Sequence, residues 1–203
     1  KQMVQADSTA HRAEVYAQKW DTRRFQFLTS RIFSLENVDT KARPLGLIQD
    51  KSKKPRQVNY LDQFKEKILA HRLIENPYVD YIIHGYHKHS RLDYLQGNWI
   101  PESDALLFHL MDMKSYVKEL PRARHMIHAS DIMEGTDEEY NDDFFAVVDQ
   151  ACTPGSLFLY WEHRYAITVP HSFQNQWTLV KVTENDRVPF YNNFYLWKKQ
   201  SKD

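Results

Sequence analysis

The stretch Thr153-Pro154-Gly155-Ser156-Leu157-Phe158-Leu159-Tyr160-Trp161 divides the chain into two grammars. Proline has no amide hydrogen to donate and glycine accepts the left-handed backbone of a helix stop, so residues 153–156 end whatever helix precedes them. Residues 157–161 are short, apolar and aromatic, the composition of a strand. Segments 165–169 and 177–183 repeat that composition downstream. Glu184-Asn185-Asp186-Arg187 reads as a hairpin turn, and 188–197 reads as a last strand or as a helix started by Pro189. The expectation beyond Gly155 is a small antiparallel sheet.

Upstream the pattern is helical. Thr136-Asp137-Glu138-Glu139 matches a capping box ahead of Tyr140, Phe144, Val147, Val148 and Ala151. Pro101 and Ser103 open an earlier helix, in which Leu106, Leu107, Leu110 and Val117 form a stripe that Pro121 ends. Asn76-Pro77 starts another, whose apolar face of Val79, Ile82, Ile83 and Tyr86 continues towards Leu95 and a stop at Gly97. Asn59 caps a helix carrying Leu61, Phe64 and Ile68. At the N-terminus, Ser8 or Thr9 caps a long helix reaching about Glu36, with Ala13, Tyr16, Trp20, Phe27, Ile32 and Leu35 near a 3.6-residue period. Pro44, Gly46 and Pro55 punctuate a basic stretch between these helices. The predicted class is therefore α+β, predominantly α. Its parts are a long N-terminal helix (1–39), a basic extended linker (40–58), and a helical body ending in a small antiparallel C-terminal sheet (59–203).

Composition restricts function. The 203 residues include five glycines, none in a Gly-x-Gly pair, against five Trp, twelve Tyr and eleven Phe. Phosphate cradles and strained nucleophile turns need glycine, so dinucleotide folds and P-loops are excluded. Aromatic side chains dominate core and interface energetics instead. The formal charge is zero, which argues against a nucleic-acid partner, because such partners demand a basic excess. The charge is unevenly spread: residues 1–100 carry a net +6 and residues 101–203 a net −6. Such asymmetry suits halves that meet or that face different partners. No stretch approaches the roughly 20 apolar residues of a membrane span.

Ten histidines invite a metal hypothesis. His84, His87 and His89 lie in one short segment: a helix would place His84 and His87 on one face, a strand His87 and His89. His125, His128 and Asp131 stand at helical spacing, and transition metals favour imidazole with carboxylate. Neither set matches a His-Glu-x-x-His or Cys-pair signature. The plainer expectation is polar surface or interface histidines, so no metal, cofactor or catalytic residue is assigned. His128-Ala129-Ser130 is a single His-x-Ser where a two-histidine phosphoesterase needs a pair. Cys152, the lone cysteine, sits at a helix C-terminus, where the dipole raises a thiol pKa. It is expected to be a small buried hydrophobe, and a single thiol favours a reducing compartment. The acids Glu134, Asp137, Glu138, Glu139, Asp142 and Asp143 suit a helix N-terminus, with the basic stretch 51–56 a second possible partner for them.

The C-terminal aromatics Tyr160, Trp161, Trp177, Phe190, Tyr191, Phe194, Tyr195 and Trp197 are expected to fill a sheet-on-helix core, with a surplus for protein contact. The functional expectation is a non-catalytic accessory or scaffold subunit bound to other protein subunits. Its most natural setting is peripheral to a mitochondrial inner-membrane complex, the respiratory chain or ATP synthase. A removed transit peptide would explain a start at Lys1. The alternative is a metal-dependent hydrolase using one of the two His clusters.

Overall fold

Ser8 shows why a helix begins at Thr9: its Oγ accepts the amide hydrogen of His11 at 3.2 Å. The computed structural model describes residues 2–32, 60–89, 92, 107–130, 132–162, 165–184, 188, 191 and 193–201. They divide into two compact units, one holding the described residues up to 92 together with Val188, the other residues 107–184, 191 and 193–201.

In the first unit, α1 (Gln2–Gln5) precedes α2 (Thr9–Val15), which Ser8 caps. The single long helix expected here is not formed. From Tyr16 to Trp20 the backbone widens into π geometry, with Asp21 N bonded to Tyr16 O at 2.8 Å. It then breaks at Asp21 and restarts as α3 (Arg23–Ile32), where Thr22 Oγ1 accepts Phe25 N at 3.2 Å. The cause is local: Thr22 is a cap inside the periodic run, and a capped start competes with continuous helix. Leu35 and Glu36 lie outside the described residues, as does the expected linker 40–58.

α4 (Tyr60–Ala70) buries Phe64 and Ile68 against Met3, Val15, Tyr16 and Val79. Arg12 closes this core, 4% exposed. Its Nε donates to Leu69 O at 2.8 Å and its Nη2 to Ala70 O at 3.4 Å, so a buried cation satisfies the last carbonyls of α4. α5 (Pro77–His84) starts as expected: Asn76 Oδ1 accepts from Tyr78 N and Val79 N, with Pro77 in the first turn. It stops earlier than expected. Gly85 takes the left-handed conformation, φ 74°, and its N–H bonds to Tyr81 O at 2.7 Å. Leu95 and Gly97 lie outside the described residues.

The second unit opens with α6 (Met113–Glu119), capped by Asp112, whose Oδ1 accepts Ser115 N at 3.0 Å. The helix expected from Pro101 is thus confined to its last turns: residues 101–106 lie outside the described residues and 107–110 are not helical. β1 (Met126–His128) follows, then a 3₁₀ turn (Ile132–Gly135) and α7 (Glu138–Ala151). Asp137, one residue after the expected Thr136, is the α7 cap, accepting Tyr140 N at 2.7 Å. β2 (Leu157–Glu162), α8 (His171–Gln174), β3 (Trp177–Glu184) and β4 (Asn193–Lys199) complete the unit. The open choice at 188–197 resolves as a strand from Asn193.

The class is α+β as expected, but the sheet is mixed. Its order is β1-β2-β4-β3, with β1 parallel to β2 and the other pairs antiparallel. β1 falls where the sequence pattern assigns no element, at histidines that stand at helical spacing. Segment 165–169, expected as strand, is irregular because carboxylates replace a ladder: Glu134 Oε1 accepts Tyr165 N at 3.2 Å and Glu162 Oε1 accepts Ile167 N at 2.8 Å. β3 slips register between Leu179 and Lys181.

Strand alternation sends Phe158, Tyr160, Ile127 and Trp197 to one face, where α7 and α8 cover them with Phe144, Phe145, Val148 and Phe173. The expectation that the C-terminal aromatics mostly fill a sheet-on-helix core is borne out for Tyr160, Trp177 and Trp197. Rings from Phe144, Phe145, Phe173 and Trp177 meet Phe158 at centroid distances of 5.7–6.5 Å. Among the described residues, no helix is long and apolar enough to cross a membrane.

Candidate functional site

Among the described residues, the least self-sufficient segment is Leu107-Phe108-His109-Leu110-Met111. Leu107 and Phe108 are 78% and 92% exposed, Leu110 fully so, and Met111 is also exposed. Residues 107–110 have neither helix nor strand, so no periodicity hides the apolar side chains. Isolated exposed leucines need no explanation, but a contiguous apolar run marks an interaction site.

Its base is fixed. The His109 and Tyr116 rings lie 4.7 Å apart, and Lys114 sits 4.2 Å over the Tyr140 ring while pairing with Asp143 at 3.4 Å. Hydrogen bonds from Ser115 hold the Asp112 carboxyl below its ordinary pKa, which keeps the α6 cap ionised. The segment is therefore an apolar arm on an anchored helix. Burying Leu or Phe is worth roughly 1.5–3 kcal/mol each, so Leu107, Phe108 and Leu110 offer a partner roughly 5–9 kcal/mol before ordering costs.

On the sheet face opposite α7 and α8, further rings gather around Trp161. Phe194 lies 5.0 Å from it, Tyr191 5.6 Å and His128 4.5 Å, edge to face. Burial lowers the His128 pKa. In the unfolded chain the imidazole titrates near 6.5, so as pH falls through 6.5 the unfolded state takes up a proton first. Stability tied to neutral His128 is complete above that pH and is lost below it. The drop in Tm between pH 7.5 and 5.5 is expected to be smaller in His128→Gln than in the wild type; equal drops would remove His128 as its source.

The sequence-predicted chemistry is largely dispersed. His125 and His128 lie on or beside β1 rather than on one helix face, and Asp131 lies outside the described residues. A ring nitrogen of His125 is engaged by Pro121 O at 2.8 Å. Cys152 is fully buried as expected, and burial, more than any charge, raises its pKa. A sealed thiol is no nucleophile. The acids are largely used locally: Asp137 caps α7, Asp143 pairs with Lys114, and Glu138 accepts from the Thr168 hydroxyl at 3.3 Å. The basic stretch 51–56 lies outside the described residues.

Of His84, His87 and His89, the fold brings together the first and last. The Gly85 turn swings His89 back over α5, so that His84 and His89 rings are 5.4 Å apart. His87 goes elsewhere, 5.3 Å from the Tyr81 ring. The third member of the cluster is Asp80, whose Oδ1 lies 3.2 Å from His84 Nδ1. Sequence reasoning passed over Asp80, although Asp80 and His84 are four apart on a Pro-started helix and so share a face. It also placed Leu107 and Leu110 on a buried stripe, because exposure leaves no trace in spacing. No protein family matches the chain, and neither the curated proteins nor the solved structures compared with it give a match.

Proposed function

We propose that the chain is a non-catalytic accessory subunit of a larger protein assembly, docked onto another protein subunit through the arm 107–111. The observation that carries this reading is the exposure of Leu107, Phe108 and Leu110 in a segment without regular structure, next to an anchored helix cap. An extended apolar segment fits a groove on a folded partner, where pockets take its alternate side chains. The aromatic cluster around Trp161 is a second surface of the kind that interfaces favour. A peripheral place on a mitochondrial inner-membrane complex, respiratory chain or ATP synthase, remains part of the proposal. It is compatible with the lack of a membrane-crossing helix among the described residues. The metal-hydrolase reading on His125 and His128 has less support, since β1 separates their environments.

Native electrophoresis of source extracts tests the reading. The wild-type chain is expected to migrate with a large complex. The variant Leu107→Ser/Phe108→Ser/Leu110→Ser is expected to run free while keeping the wild-type circular dichroism and Tm. Free migration of the wild type, or retention of the variant in the complex, would sink the proposal. Removing residues 188–203 is a poor substitute, because it deletes β4 from between β2 and β3.

A further inference from the structure

The geometry points to a divalent transition-metal site, which we infer to be a Zn²⁺ site, formed by Asp80, His84 and His89 and independent of the docking arm. Three features of the chain build it. Helical spacing puts Asp80 and His84 one turn apart on α5. The left-handed Gly85 then reverses the backbone at the end of that helix. Finally, Asp80 Oδ2 accepts the backbone N–H of His89 at 2.8 Å, which fixes the returning loop. One carboxylate oxygen thus holds the loop in place, while the other lies 3.2 Å from His84 Nδ1.

One ligand atom from each of Asp80, His84 and His89 can be chosen so that all three lie within 4.8 Å of one another. Zinc bonds of about 2.0–2.2 Å in tetrahedral array put ligand atoms roughly 3.3–3.5 Å apart. The Asp80–His84 pair already has that edge, and His89, exposed on a short loop, closes the remainder by rotation.

The donor set selects the ion. Two imidazoles and one carboxylate suit Zn²⁺ or Co²⁺. Ca²⁺ wants six to eight oxygens and Mg²⁺ an octahedral oxygen shell, which one carboxylate does not supply. Asp80 is 1% exposed and His89 is on the surface, so the ion would rest on a buried anchor with its fourth position open to water. His87 is no ligand, since its ring is turned to Tyr81.

Isothermal titration of the full chain, first stripped with a chelator, tests the site. One equivalent of Zn²⁺ is expected to bind, and Co²⁺ is expected to give the visible absorption of a four-coordinate ion. His89→Ala removes an exposed side chain and leaves the Asp80 carboxylate bond to the backbone in place. It is expected to weaken binding at least about tenfold, as metal-site substitutions do, with Tm of the metal-free protein unchanged. His87→Ala is expected to bind as the wild type does. Absence of stoichiometric binding would overturn the inference, as would equal affinity in His89→Ala or loss of binding in His87→Ala.

Discussion

Replacing Lys199 by Met is expected to destabilise the C-terminal unit by about 3–5 kcal/mol, the range for breaking a buried charge pair from one side. Lys199 is the last residue of β4 and almost wholly buried. Its Nζ lies 2.7 Å from Asp149 Oδ1 and donates to Cys152 O at 3.0 Å and also to Asp149 O. The two carbonyls belong to the end of α7, where unpaired backbone oxygens and the negative pole of the dipole concentrate. Trp177 Nε1–H donates to the same Asp149 Oδ1 at 2.8 Å, so α7, β3 and β4 are joined at one carboxylate. Methionine keeps most of the volume but leaves that carboxylate, 21% exposed, with the indole in place of its cation, and the helix carbonyls unanswered. Urea denaturation followed by tryptophan fluorescence measures the loss. The double change Lys199→Met/Asp149→Leu is expected to recover part of it, because removing both charges removes the desolvation cost. A loss in Lys199→Met of less than about 1 kcal/mol would show that the pair contributes no more than a surface contact.

The second large effect is expected at Phe158→Ala, about 3–5 kcal/mol, from lost transfer energy and the cavity left behind. Phe158 is fully buried at the second position of β2, with the rings of Phe144, Phe145, Tyr160, Phe173 and Trp177 around it. Aromatic neighbours on two helices and two strands have no common way to collapse into the gap, so relaxation is limited. The adjacent Leu159 lies on the opposite face and is only partly buried. Leu159→Ala is therefore expected to cost clearly less in the same urea assay. Equal losses at 158 and 159 would contradict the assigned strand alternation.

Local chemistry was the legible part of this fold. Ser8, Asn76 and the Thr136-Asp137 pair announce helix starts, and the side chains at those places do accept backbone hydrogens. The Pro154-Gly155 stop and the apolar, aromatic composition of 157–161 gave β2 within a residue. Part of what failed depended on partners distant in sequence and part on local side-chain bonds. Met126–His128 is three residues long, and only parallel pairing with Leu157, Phe158 and Leu159 makes it a strand. Its histidine spacing imitated a helix. Segment 165–169 has strand composition, yet Glu134 and Glu162 claim its amides first. Thr22 is a cap signal that an otherwise continuous apolar period concealed. The candidate metal cluster was half legible: His84 and His89 were singled out, but their union needed the Gly85 turn and Asp80. Gly85 lies inside the run expected as one helix up to Gly97, and it ends that helix instead.

The slip in register at Val180 bears on association of the folded chain. β3 is one of the two edge strands of the sheet, and Leu179, Val180 and Val182 are exposed along it. A straight strand of that composition would offer a neighbouring molecule a ready row of amides and carbonyls to extend the sheet. The bulge interrupts that row, and Lys181, in its midst, sets a charge where a second strand would have to lie. The bulge and its lysine thus guard this open edge against self-propagating growth.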